Sequence, residues 1–489
     1  MKFSFPGRKP TPPKPVEDKS QAKENIPSDP KRHSNSNSNS KADERVLEDR
    51  NAKTSISASD GAGNSKGKCD VENNARGETE LGEEDKSMRR GGGLYRVSKF
   101  YQVENVEYYR KGGYHPVLIG DEFKDGQYKV VHKLGNGGYA TVWLARDWKE
   151  ERYVAIKIVL CEFSQEVFEK DTAIMGRIKA CRSRRPRSLL GNHIDVPIDY
   201  FWVEGPNGRH LGVVSHFSGP SIALCIEKQI RPGERESRRM ALQLAQSLAF
   251  LHSPSVGIVH GDLTTSNVLL ELKNIDSWSE KKLYQKLGPP AEERVYASNR
   301  RPLGPEAPTF LYEAADLNRL LNRRTGNIRV IDFGESFFIS SPPNHGLGTP
   351  ASFCSPELLS NKTCGTASDI WALACTIFEL RKGYLLIHAY LGTDREALAQ
   401  IVARFGPPPA HLESLKCLQD YVQEIRGPNL RGMVKSEETE KDDKAAHATI
   451  NDEETEAFLD LLRGAMDYDI EERFTAAELL EHPWFADVF

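Results

Sequence analysis

From Tyr128 onward the chain alternates in side-chain character, breaks at a run of glycines, and alternates again: Tyr128, Val130 and His132 before the break, Val142, Leu144 and Arg146 after it. A period of two on both sides of a glycine cluster describes a β-hairpin. The break, Gly135-Asn136-Gly137-Gly138-Tyr139-Ala140-Thr141-Val142, with Leu134 just before it, lets backbone N–H groups approach phosphate oxygens with no side chain in the way. Glycine-rich hairpins are also ordinary turns, so the constraint comes from the next strand. About twenty residues past the loop, Tyr153-Val154-Ala155-Ile156-Lys157-Ile158 sets a lysine inside a run of β-formers.

A lysine in a buried strand is costly without a partner, although one that snorkels to the surface needs none. The next segment, Ser164 to Ile178, has helical periodicity, with Val167, Ile174 and Ile178 on one face. Asp171 falls on that face, four residues after Val167, whereas Glu169 lies about 200° round from it and faces solvent. Asp171 is therefore the expected counter-ion of Lys157. Its side chain is one methylene shorter than glutamate, so the reach is limited.

A second helix is expected from about Arg235 to His252, with an apolar stripe of Leu244, Leu248 and Leu251. It leads into Ile258-Val259-His260-Gly261-Asp262-Leu263-Thr264-Thr265-Ser266-Asn267-Val268-Leu269-Leu270, where Asp262 and Asn267 stand five apart between apolar runs. In phosphoryl transfer the first can accept a substrate hydroxyl proton and the second can hold Mg²⁺. An ordinary loop can carry the same pair. A further strand, Ile328 to Ile331, ends in Asp332-Phe333-Gly334, and Asp332 is the second metal candidate, set to bridge Mg²⁺ to β- and γ-phosphates.

Seventy residues separate Asp262 from Asp332, against roughly twenty in the usual pattern. An insertion over about 273–326 is implied, polar and proline-containing, and it reads as a surface excursion with short helices. Beyond it come Gly348-Thr349-Pro350-Ala351-Ser352-Phe353-Cys354-Ser355-Pro356-Glu357, then Ser368-Asp369-Ile370-Trp371 opening an apolar helix, then Arg473. Glu357 and Arg473 are expected as a buried pair, and breaking such a pair costs about 3–5 kcal/mol. Thr475-Ala476-Ala477-Glu478 has the spacing of a capping box.

Composition bounds the rest. Residues 1–93 are rich in Lys, Glu, Ser, Asn and Pro, include the run Ser34 to Ser40, and read as a disordered tail with a polyproline-like arm at Pro6 to Pro15. A formal charge of −4 over 489 residues gives no global signal for nucleic acid or membrane. The eight cysteines form no CxxC pair, which fits a reducing compartment and no zinc site. Neither a leader pattern nor a run approaching ~18 apolar residues is present, so an intracellular, soluble protein is expected. Arg182-Ser183-Arg184-Arg185-Pro186-Arg187-Ser188 and the acidic stretch Glu437 to Glu456 read as solvated loops, with nuclear import and attraction of basic substrates as the functional alternatives.

Taken in order, these motifs resemble the eukaryotic protein kinase family over about Tyr128 to Phe485. The lead-in Val106-Glu107-Tyr108-Tyr109-Arg110-Lys111-Gly112-Gly113-Tyr114-His115-Pro116-Val117, the loop in which Ala140 replaces a third glycine, and the insertion are similar to SR-protein kinases of fungal type. The resemblance implies an α+β fold of two lobes, a small antiparallel β-sheet lobe with one main helix and a larger, mostly helical lobe. The implied divisions are a lead-in at 94–127, the small lobe at 128–218 and the large lobe at 219–485. It also implies ATP and Mg²⁺ as cofactors, Lys157, Asp171, Asp262, Asn267 and Asp332 as catalytic residues, and serines of Arg/Ser-rich splicing factors as substrates in cytoplasm and nucleus. A monomer without direct nucleic-acid or membrane contact is expected. Val213 to Gly219 becomes the fifth strand and hinge, with Ser215 as a small gatekeeper, His216 and Ser218 at the adenine edge, and Val142, Ala155 and Leu269 as apolar walls.

Several positions depart from the family pattern. Gly261 stands where most kinases carry an arginine that grips a phosphorylated activation loop, so activity without that phosphorylation is expected. Thr264 replaces a lysine near the γ-phosphate, and Asp171 replaces a glutamate. The sequence His260 to Asn267 also resembles the atypical kinase of a tRNA-modifying complex, which lacks the lead-in. These departures leave a second reading open, a nucleotide-binding pseudokinase scaffold of weak activity. A small-molecule kinase is disfavoured by the complete segment through Ser355-Pro356-Glu357.

Overall fold

The computed structural model describes residues 93–100, 102–184, 191–412, 415, 427–436, 450–486 and 488. The expected tail, apart from Gly93, lies outside them, as do 185–188 of the arginine cluster and 437–449 of the acidic stretch.

The alternating segments form a six-stranded antiparallel sheet in the order β1-β2-β3-β4-β6-β5, comprising β1 (Glu122–Phe123), β2 (Tyr128–Gly137), β3 (Ala140–Asp147), β4 (Arg152–Val159), β5 (Asp199–Gly205) and β6 (Gly208–His216). Helix α1 (Cys161–Arg184) joins β4 to β5 and is longer at both ends than its periodicity implied. Register sorts the side chains into two sets. Trp143 pairs with Ile156 and Ile156 with Val214, and Ala145 pairs with Val154, so these lie on one face. They form a closed apolar layer with Phe123, Phe201 and Tyr312. Val142 pairs with Lys157, and Leu144 with Ala155 and Ala155 with Ser215, which puts the expected nucleotide-contacting set on the other face. There Leu144 is fully buried, while Leu134, Val142, Ala155, Lys157 and Ser215 are half-buried.

The large lobe is helical and has its own core. Helix α2 (Glu234–His252) carries the leucine stripe and leads into the segment that holds Asp262 and Asn267. It packs on α3 (Thr366–Lys382), which is buried almost all round, as its near-continuous apolar run requires. The short strands β7 (Ile258–Val259) and β12 (Phe337–Phe338) pair, as do β8 (Val268–Leu272) and β11 (Arg324–Val330).

The insertion between β8 and β11 is not a surface excursion. Ile275, Trp278, Leu283, Leu287, Leu317 and Leu320 are buried against Val131, Leu144 and Tyr153 of the small lobe's sheet. Its hairpin of β9 (Glu292–Arg294) and β10 (Phe310–Tyr312) sends Tyr312 into the opposite apolar layer beside Trp143. Val295, Ala307 and Leu311 close over Val106, Tyr109 and Tyr114 of the lead-in. Polar composition concealed this because the apolar residues are few and scattered among charged ones, with no sustained period to reveal a buried face. The lead-in is equally built in: Lys133, fully buried on β2, pairs with Glu104, whose other oxygen accepts from the Tyr109 hydroxyl at 2.6 Å.

Candidate active site

The glycine loop turns at Gly138-Tyr139, with Gly137 paired to Ala140. A Cβ built at Gly135, Gly137 or Gly138 would meet nothing within 4 Å, so these glycines border open space. Tyr114 of the lead-in donates its hydroxyl to the Gly137 carbonyl at 2.7 Å, and the Leu160 N–H donates to the Tyr139 carbonyl at 2.9 Å. The Tyr139 ring meets Phe163 edge-on at 5.1 Å. Asn136 and Tyr139 themselves stay exposed.

Lys157 reaches across to Asp332, with Nζ 3.3 Å from Oδ1 and 3.4 Å from Oδ2. This corrects the expected Lys157–Asp171 pair. Asp171 accepts the Tyr200 hydroxyl at 2.6 Å instead, its short side chain is spent on that bond, and burial raises its pKa. It remains close enough for the charges of Lys157 and Asp332 to act on it. Glu169 is exposed, as expected, and accepts from Gln165. Helix α1 reaches the same region by another route, because Lys170 donates to the Gly334 carbonyl.

The candidates Asp262, Asn267 and Asp332 come together through the β8–β11 pairing. Val268 opposes Val330, and the Ile331 N–H donates to the Asn267 carbonyl at 2.9 Å, which sets Asn267 beside Asp332. The Asn267 Nδ2 donates to the Asp262 backbone carbonyl at 2.9 Å and to its Oδ2 at 2.8 Å. The other oxygen, Asp262 Oδ1, is buried with no partner among the described residues. Burial, opposed by the Asn267 bond and reinforced by the charges of Asp332, Glu335 and Asp369, pushes the Asp262 carboxyl up to about 7. The Asp332 carboxyl moves the other way, held down by the Lys157 ammonium. Asp332 also takes a left-handed φ of 61°, uncommon for a residue with a Cβ.

The anchoring contacts of two acids, Asp369 and Glu335, have no signal in the linear pattern. Asp369, on the first turn of α3, accepts from the His260 N–H at 2.7 Å, the Gly261 N–H at 2.9 Å and the His252 Nε2 at 2.9 Å. Glu335, next after Gly334, accepts the Gly348 N–H at 3.0 Å. Both sit in or beside recognisable motifs, but no spacing distinguishes them from surface acids. Gly261 has φ 79°, and a Cβ there would stand 2.6 Å from the Glu335 carbonyl, so the position is closed to any side chain. Thr349 donates to the Gly261 carbonyl, and the Ser336 hydroxyl to that of His260 at 2.8 Å. Thr264 is buried, while the neighbouring Thr265 hydroxyl donates to Glu379 at 2.7 Å.

At the hinge, Ser215 lies opposite Ala155, the His216 Nδ1 is 3.0 Å from the Asp195 carboxylate, and Ser218 is buried with its Oγ unpartnered among the described residues. The Gly219 N–H donates to Leu270 and a bridge joins Ser221 to Leu269, which brings Leu269 against the hinge. The Glu357–Arg473 pair is buried and bidentate, at 2.7 and 3.1 Å, and Thr475 with Glu478 completes the capping box. Among the described residues no group of three or more His, Cys, Asp or Glu side chains is arranged to hold a metal, and no helix is long and apolar enough to cross a membrane.

Comparison with known sequences agrees with this geometry. Residues 128–277 and 316–485 match the family described as protein kinase domain, and the gap in the match falls within the insertion. The chain is 34% identical over 176 residues to the serine/threonine-protein kinase SKY1 of Saccharomyces cerevisiae, covering 35% of this chain and 24% of that protein. It is 28% identical over 409 residues to the serine/threonine-protein kinase SRPK of Physarum polycephalum, covering 79% and 92%. SRSF protein kinase 3 of Homo sapiens is 34% identical over 171 residues, covering 35% and 30%. The match thus spans about a quarter of SKY1 and under a third of SRSF protein kinase 3. The expected likeness to SR-protein kinases holds.

Proposed function

The chain belongs to the protein kinase family, and we propose that it transfers the γ-phosphate of ATP to serine or threonine hydroxyls of proteins, Arg/Ser-rich proteins foremost. The observation that carries this reading is the unpartnered Asp262 Oδ1, held rigid by Asn267 and lying within the electrostatic reach of Asp332. Asp262 takes the hydroxyl proton as the substrate oxygen forms its bond to the γ-phosphorus, the bond from phosphorus to the β–γ bridging oxygen breaks, and ADP leaves with that electron pair. Deprotonated Asp262 is required at the start of the step.

The donor set fits a hard divalent cation, Mg²⁺ in particular: the Asp332 carboxylate and the Asn267 amide oxygen, whose amide nitrogen is already spent on Asp262, are oxygen donors at the adjoining ends of the paired strands β11 and β8. When bound, Mg²⁺ would neutralise phosphate charge. Lys157 then exchanges Asp332 for phosphate oxygens, the glycine loop offers N–H groups to them, and Leu134, Val142, Ala155 and Leu269 enclose the adenine beside Ser215, His216 and Ser218. The serine target class rests on the names of the relatives and on the lead-in. Action as a monomer in cytoplasm and nucleus, without direct nucleic-acid contact, completes the proposal.

Substrate class is tested by comparing phosphate transfer to an Arg/Ser repeat peptide and to its Lys/Ser counterpart. The Arg/Ser peptide is expected to be the better substrate by about ten-fold or more in kcat/KM, since a planar guanidinium fork and an ammonium are not interchangeable. Equal rates would remove the Arg/Ser assignment and leave the transferase assignment standing.

A further inference from the structure

Far from the glycine loop in sequence, the insertion and the start of the lead-in enclose a pocket of about 230 Å³. Its lining includes four arginines, Arg96, Arg294, Arg300 and Arg301, together with Tyr296 and Pro302. Two separate segments build it: Tyr95 bridges to Ala297, the Arg96 N–H donates to the Tyr296 carbonyl at 2.9 Å, and the Ser298 N–H to that of Leu94 at 2.8 Å. The turn that presents the last two arginines is closed by Arg300, which adopts a left-handed φ of 60°. A long side chain held there is a local cost that the surrounding contacts must sustain.

None of the four guanidinium groups forms an ion pair with a carboxylate of the described residues. Of the nearby acids, Glu306 acts by its charge on the Tyr95 hydroxyl, while two others are bonded to donors outside the pocket. Glu107 accepts the N–H groups of Leu94 and Tyr95, and Glu293 accepts the Ser98 hydroxyl at 2.6 Å and the Lys99 N–H at 2.8 Å. Arg96 lies over the Tyr296 ring at 5.5 Å, a contact that orients its planar fork. Four like charges around one concavity repel one another unless an anion enters.

We propose that this pocket is a binding site for a phosphate monoester, presented as phosphoserine or phosphothreonine on an acidic protein segment. Guanidinium forks match the oxygens of phosphate in pairs, and several of them can share one dianion. The volume is below the range of about 300–1,000 Å³ usual for larger ligands and suits one phosphorylated side chain. A concave, compact site favours a point dianion over a nucleic-acid strand, which calls for an extended basic track with successive aromatic platforms. Acidic flanking residues are favoured because the site repels basic ones. The site is independent of the transfer reaction and uses none of the residues assigned to it.

Fluorescence anisotropy with the full chain tests this, using an acidic peptide bearing a single phosphoserine, the same peptide unphosphorylated, inorganic phosphate as competitor, and a short uridine RNA. The phosphopeptide is expected to bind about ten-fold or more tightly than its unphosphorylated form, to be displaced by phosphate, and to weaken with added salt. R294A/R301A should lose that preference, and R294K/R301K should recover only part of it, with ATP affinity unchanged in both. Equal binding of the two peptides, or a preference retained in R294A/R301A, would overturn the proposal. RNA binding tighter than the phosphopeptide would overturn it in favour of nucleic acid. If neither variant folds, the comparison of the two peptides on the wild-type chain decides alone.

Discussion

A carboxylate with one oxygen bonded and the other left bare, as in Asp262, costs the fold, and under the proposed function it would serve proton transfer. Its pKa of about 7, raised from 3.8 chiefly by burial, means that the folded chain holds a proton that the unfolded chain releases between those values. Stability contributed by this group is therefore lost as pH rises through that window. D262N, permanently neutral and still able to accept from Asn267, is expected to melt at a higher temperature than wild type above pH 7 and at the same temperature near pH 4, as calorimetry would register. Its transfer rate should fall about 10²–10⁴-fold. In the wild type, kcat/KM for ATP should decline as pH drops below about 7, because the base becomes protonated.

Elements were legible in the sequence wherever a period was sustained. The hairpin, the strand carrying Lys157, the helix after it and the helix ending at His252 all lie where alternation or an apolar stripe put them. The geometry of the pairings was less legible. The helical period puts Asp171 on the inward face, yet Tyr200, which takes its carboxylate, comes from a strand nearly thirty residues on, and no local pattern signals that contact. The burial of the insertion and of the lead-in leaves no local signal for the same reason: their partners are remote. Buried charge gives a direct test of the lead-in's role. E104A should cost about 3–5 kcal/mol in chemical denaturation, because Lys133 would be left buried and unpaired. K133M combined with E104Q, which keeps an acceptor for Tyr109, should return most of that stability.

Across the assembled molecule, the activation segment is tied down by residues the chain already carries. Glu335 holds Gly348, Thr349 holds Gly261, and the glycine's conformation excludes the arginine that would answer a phosphate. Phosphatase treatment of the purified chain is accordingly expected to leave kcat within about two-fold of its starting value, an effect well under 1 kcal/mol on the barrier. A loss of activity restored by rephosphorylation would mean that these contacts do not suffice.

Asp262, Lys157, Asn267 and Asp332 must together form a working phosphoryl-transfer site despite Thr264 and Asp171. Transfer of radiolabelled γ-phosphate from Mg-ATP to a serine-containing Arg/Ser peptide by the purified chain decides whether they do, beside D262A and K157M and with nucleotide affinity measured for each. Label is expected on serine with wild type, and at least about 10²-fold less with D262A at nearly unchanged nucleotide affinity. Wild-type chain that binds nucleotide and transfers no label would contradict the transferase assignment and leave a scaffold in its place.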